Sequence, residues 1–137
     1  MIFLRLLLLV TALAGGYSCA SIALEGRALF GVQIEKLPFI CTSNTCSKLA
    51  ASRFSHILGV PNWWFGSVYY LFIALVVISH SPQLYITAIA ATVAACIMSL
   101  VLIWALQVKL QIVCRVCYLA HAVNFCILFL LFFLFVL

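Results

Sequence analysis

The sequence predicts an all-α integral membrane protein: a bundle of four transmembrane helices, with a loop or half-helix between the first and second capping one end. Three observations carry this. Charged residues, seven Lys or Arg and two Glu, make up 7% of the 137-residue chain, against roughly 25% in a soluble domain. Hydrophobic residues make up 69%, against roughly 45–50%. The apolar residues fall into four runs, each near the roughly 20 residues that a membrane-spanning helix needs.

This composition excludes a soluble globular domain, because so few charges leave its surface without polar cover. It also excludes disorder, which requires low hydrophobicity. A net charge of +5 raises the question of nucleic acid, but the cations are scattered and form no stripe that could track phosphates. Lipid is the expected environment, and the length suits a single domain covering residues 1–137.

The first run covers about Ile2 to Leu24 and is broken only by Arg5. Arg5, the Leu-rich core and the stretch Ala14 to Ala20 also resemble a secretory signal, with Cys19 as a conceivable lipidation site. The run continues past the length of a usual signal core, and Ala12, Gly15, Gly16, Cys19 and Ser21 suit close helix packing. A polar stretch, Glu25 to Leu58, follows. The second helix is expected over about Val60 to Ile78, and Ser79-His80-Ser81-Pro82 makes a turn. The third covers about Leu84 to Leu106, and Gln107 to Gln111 is a short connection. The fourth covers about Ile112 to Leu137. No internal repeat interrupts this up-down-up-down order. Within the polar stretch, Leu49, Phe54, Ile57 and Leu58 among polar residues suit an amphipathic half-helix over Asn44–Leu58, lying across the bundle.

Four spans place the long loop and Gln107–Gln111 on one side of the membrane. That side carries Arg27, Lys36, Lys48, Arg53 and Lys109, with Arg115 close by, while the other carries Arg5 alone. The positive-inside rule therefore puts the loop in the cytoplasm.

Seven cysteines are present. Cys41 and Cys46 lie in the polar loop, and Cys114-Arg115-Val116-Cys117 is a C-x-x-C at the start of the fourth helix, so both pairs meet the same membrane face. A helix amino terminus stabilises a thiolate, and Arg115 adds positive charge nearby. A second pair on the loop could exchange disulfides with the first through mixed intermediates. Cys114, Cys117, His121 and Asn124 follow one another at i, i+3, i+7 and i+10, which places them within an arc of about 80° on a helix. That face should point into the bundle, and polar side chains within a membrane are functional suspects. Cys126 falls off this face. Cys19 and Cys96 have no partner by spacing and read as packing residues. The residues leave alternatives open: a zinc or copper site built from both pairs, a structural Cys41–Cys46 disulfide in a membrane scaffold, or a chance C-x-x-C.

The chain resembles the vitamin K epoxide reductase family, and in particular its bacterial, quinone-linked disulfide-forming members. The resemblance rests on four helices, two loop cysteines after the first helix and a C-x-x-C opening the last. It extends to Ser52, six residues after Cys46, to Asn62 four residues before Gly66, and to Gly59-Val60-Pro61 before the second helix.

The resemblance implies a membrane thiol:quinone oxidoreductase that supports disulfide formation. Cys41 would exchange with a separate thioredoxin-like protein, Cys46 would pass electrons to Cys114, and Cys117 would face the quinone, of the ubiquinone, menaquinone or vitamin K type. Ser52 would hold the loop or the site, and Asn62 would hydrogen-bond a quinone oxygen. Phe65 and Tyr69 would line the pocket, as would Tyr70, Trp63 and Trp64 where these do not form an interfacial belt. No metal is expected. Two departures stand out. The gap between the loop cysteines is short, and His121 occupies the place of a Tyr in the animal enzymes. A His there could still give a hydrogen bond or a proton to a reduced quinone, but the change argues against epoxide chemistry, the animal-type alternative. Disulfide formation also needs an oxidising compartment, so the resemblance implies a periplasmic or ER-lumenal loop, against the cation bias. The loop cations would then serve thiolate activation and partner docking; an inverted protein making cytoplasmic disulfides is the alternative.

Overall fold

The computed structural model describes residues 2–28, 52–79, 81–111 and 113–136, with the backbone alone for 24–28. Helix α1 spans Ile2–Ala28, α2 Asn62–Ser79, α3 Pro82–Trp104 and α4 Arg115–Val136. Four stretches are long and apolar enough to cross a membrane: Ile2–Ala23, Asn62–Ser79, Pro82–Leu110 and Arg115–Val136. The protein is an integral, multi-pass membrane protein. Its outer surface agrees, since Phe3, Leu13, Leu71, Leu100 and Phe129 are all well exposed.

Local chemistry sets the helix ends. Ser81 is extended and Pro82 takes the first helical position of α3, where a missing N–H costs nothing. The Ser81 carbonyl accepts the first bond of that helix from the Tyr85 amide at 3.2 Å. At its far end α3 does not stop after Leu106. It widens into a π-helical turn, Ala105–Leu110, closed by Gln111 in the left-handed conformation. Lys109 folds back so that Nζ lies 5.6 Å from the Trp104 ring centroid, a cation–π contact along this turn. The segment expected to be a short connection is thus largely helix.

The described part of the α1–α2 connection is short. A 3-10 turn at Arg53–Ser55 leads into a two-stranded antiparallel hairpin, β1 (His56–Ile57) and β2 (Val60–Pro61). Leu58 and Gly59 form its tip with φ of 52° and 83°, the pairing of a tight primed turn. The expected half-helix is therefore replaced by turn and hairpin from Arg53 onward, and its earlier part lies outside the described residues.

Within the bundle α1 packs on α2 and α4, and α4 on α3, whereas α2 and α3 touch sparingly. Small residues allow the closest approach. A Cβ at Gly15 would overlap the Tyr70 ring, and one at Gly66 would lie 2.6 Å from Cys19 Sγ. Leu8, Ile73, Val76, Ile127 and Leu131 fill the interior at one end. Several hydroxyls bond within their own helices, as where Thr92 Oγ1 donates to the Ala88 carbonyl at 2.7 Å, which suits a lipid environment.

Candidate active site: a cavity at the C-x-x-C end

At the opposite end the bundle is hollow. A cavity of about 1010 Å³ lies between all four helices, with the hairpin across it. α1 contributes Cys19, Ile22 and Ala23, and the connection contributes Phe54 to Ile57 and Pro61. From α2 come Asn62, Trp63, Phe65, Gly66, Tyr69 and Tyr70. The α3 wall is largely alanine, with Ala91, Ala94, Ala95 and Met98 at i, i+3, i+4 and i+7, continuing to Ser99, Leu102 and the π turn. Phe65 on α2 and Met98 on α3 line the cavity and are 45% and 38% exposed.

α4 supplies the chemistry. Cys114 immediately precedes its first residue, and its carbonyl accepts a bond from the Tyr118 amide at 3.1 Å. The Cys117 amide donates to Cys114 Sγ at 3.4 Å, so the first thiol caps the helix that carries the second. Both are buried. Cys114, Cys117, His121 and Asn124 all line the cavity, in keeping with the shared arc expected from their spacing. Their roles differ. Asn124 is occupied: Tyr70 Oη donates to Asn124 Oδ1 at 2.7 Å, and Asn124 Nδ2 donates to Ser99 Oγ at 2.9 Å. His121 is 8% exposed and has no hydrogen-bond partner among the described residues.

Asn62 opens α2, and its Nδ2 donates to the Phe54 carbonyl at 2.7 Å, tying the 3-10 turn to the helix. Its Oδ1 is buried with no partner among the described residues. Tyr69 Oη donates to Thr92 Oγ1 at 3.0 Å across to α3. Trp63 lines the cavity, while Trp64 is 53% exposed and lies outside it.

Ser52 is not among the lining residues; its carbonyl accepts bonds from the Ser55 amide at 3.2 Å and from Ser55 Oγ at 2.7 Å. Cys41 and Cys46 lie outside the described residues. Cys126 is exposed, and Cys96 is buried. Cys19, expected only to pack, also lines the cavity one turn before Ile22. Its role in the wall had a faint signal in the sequence, because the small residues of α1 share its face. Among the described residues no three His, Cys, Asp or Glu side chains gather to hold a metal.

Compared with known families, the chain matches the Vitamin K epoxide reductase family over residues 6–132. The chain belongs to the vitamin K epoxide reductase family. A comparison with curated proteins gives no match. Membership makes the protein a membrane oxidoreductase of a quinone-linked kind. The vitamin K epoxide reductase family match spans all four helices, so the hollow end with its C-x-x-C belongs to the matched domain and not to an appendage.

Proposed function

We propose that the protein is a disulfide-forming thiol:quinone oxidoreductase. The observation that carries this reading is the meeting of Cys114 and Cys117 in one apolar cavity with Asn62 Oδ1 and the His121 ring, neither of which has a hydrogen-bond partner among the described residues. A quinone is a flat apolar ring with two oxygens at opposite edges, and its pool lies in the membrane. The donor set fits such a ligand. Asn62 Oδ1 is a buried acceptor lacking a donor among the described residues, and a hydroxyl of the reduced quinone would supply one. Leaving such a group unmatched costs about 1–3 kcal/mol.

Electrons would enter from a thioredoxin-like protein at Cys41 and reach Cys114 through Cys46. The reaction at the cavity balances as two thiols and a quinone giving one Cys114–Cys117 disulfide and one hydroquinone: two electrons and two protons leave the sulfurs and arrive on the ring. The protein holds the ring against Cys117, keeps bulk water out with Phe54, Ile57 and Trp63, and orients the oxygens through Asn62 and His121. Ser52 would act on the connection and not on the ring. The loop would face the oxidising compartment.

The test is anaerobic quinone reduction by purified protein in detergent, driven by a reduced dithiol. Wild type should turn over, and Cys117→Ala should lose at least about a thousandfold of that rate while melting as wild type does. Equal rates would overturn the relay. An epoxide offered in parallel, if consumed, would favour the animal-type chemistry. Labelling Cys41 and Cys46 in intact cells with an impermeant maleimide reads the side of the loop.

A further inference from the structure

We propose that His121 is the proton carrier of this site: it takes the proton of the Cys117 thiol and delivers one to the nearer oxygen of the quinone. The inference rests on the reading of the cavity as a quinone site. His121 follows Cys117 by four residues on α4, a spacing at which Cβ atoms lie about 5–6 Å apart on one face. Both side chains line the cavity. The imidazole is 8% exposed, yet it has no hydrogen-bond partner among the described residues. The ring lines the cavity, so its polar atoms are open to a ligand that enters there. The neighbouring polar side chain on the same face, Asn124, has both its amide oxygen and its amide nitrogen engaged, by Tyr70 and Ser99. A carrier with one nitrogen facing the sulfur and one facing the ring can accept and donate in turn.

In the balanced reaction, forming the Cys114–Cys117 bond releases two electrons and two protons. The quinone takes both electrons. His121 takes the proton of Cys117 at the nitrogen facing Sγ and gives up the proton of its other nitrogen to the ring oxygen; this leaves the opposite neutral tautomer, which a ring flip resets before the next turnover. The proton of Cys114 goes to the second oxygen, whose hydroxyl Asn62 Oδ1 accepts. No outside oxidant or base is required. The other titratable groups facing the cavity are Cys19 on α1, Tyr69 and Tyr70 on α2, His56 on the hairpin and Cys114 itself; α3 contributes none among the described residues. Tyr69 and Tyr70 already donate their hydroxyl protons to Thr92 and Asn124, and His56 Nδ1 lies 2.8 Å from Ser55 Oγ.

Two readouts test the assignment on the full chain in detergent. The first needs no quinone. Alkylation of Cys117 by N-ethylmaleimide, small and uncharged, is followed by mass spectrometry between about pH 5.5 and 8.5. At neutral pH, His121→Gln should slow it about tenfold or more, as loss of a positioned base does, with exposed Cys126 reacting as before. The second is turnover: His121→Gln should lower kcat by about a hundredfold or more with KM little changed, and free imidazole should restore part of the rate of His121→Ala through the vacated space. Unchanged Cys117 alkylation in His121→Gln overturns the proposal, as does a lost rate that imidazole leaves unrestored in a folded His121→Ala. Should wild type reduce no quinone at all, the alkylation series still decides whether His121 acts on Cys117, and the quinone reading fails separately.

Discussion

Tyr70 on α2 donates its hydroxyl proton to Asn124 Oδ1 on α4 at 2.7 Å, and the same phenol ring fills the space that Gly15 leaves open on α1. One side chain therefore joins three helices, and Asn124 passes the connection to Ser99 on α3. This chain of bonds lies between the packed end of the bundle and the cavity.

Removing the hydroxyl with Tyr70→Phe should lower stability by about 1 kcal/mol, in the range of interhelical hydrogen bonds within membranes. Asn124→Leu should cost more, because it leaves both Tyr70 Oη and Ser99 Oγ without this partner. Thermal unfolding in detergent, followed by dye labelling of the buried thiols, measures both.

Gly66 and Cys19 form a steric pair. A Cβ at Gly66 would stand 2.6 Å from Cys19 Sγ, so Gly66→Ala should destabilise by about 1–3 kcal/mol, as overpacking does. Adding Cys19→Ala removes the clashing sulfur and should recover most of the loss. A double-mutant cycle on melting temperatures reads the coupling; additive effects would refute the pairing.

At the hairpin tip Leu58 holds φ of 52°, a region unfavourable to Leu. Leu58→Asn creates the Asn-Gly pair that such turns prefer. It should raise stability by about 0.5–1 kcal/mol, seen as a higher melting temperature.

Asn62→Ala should weaken inhibition by the hydroquinone product about tenfold, the equivalent of about 1.4 kcal/mol. A titration of hydroquinone against turnover checks this. An unchanged inhibition constant would leave Asn62 only its structural bond to the Phe54 carbonyl.

The four helices were legible in the sequence because lipid imposes length and apolarity directly. So was the face bearing Cys114, Cys117, His121 and Asn124, since a helix fixes the angle between its own residues. What pairs across helices was not. Nothing in the spacing of α4 distinguishes Asn124, bonded to Tyr70, from His121, left open, because that depends on the register of α2 against α4. Cys19 in the cavity wall showed in the sequence only as one of the small residues sharing a face of α1. The hairpin at His56–Pro61 escaped because its strands are two residues each, too short for any alternation to show. Cys41 and Cys46 lie outside the described residues, and their part in the relay rests on their place in the sequence.

The contrast between the filled and hollow ends gives the molecule the mechanics of a beam clamped at one end. The clamp is the interlocked segment around Ile73, Val76, Ile127 and Leu131. Beyond Tyr69 and Thr92 the helices hold one another at fewer points around the cavity, Gly66 against Cys19 and Leu106 against Cys114, Val116 and Cys117. Small angular play at a clamp grows with distance along a rod, so the cavity walls are the part that gives when a ligand enters, and the anchorage itself is undisturbed. Amide hydrogen exchange should be slowest near Ile127 and quicken toward Asn62 and Leu110.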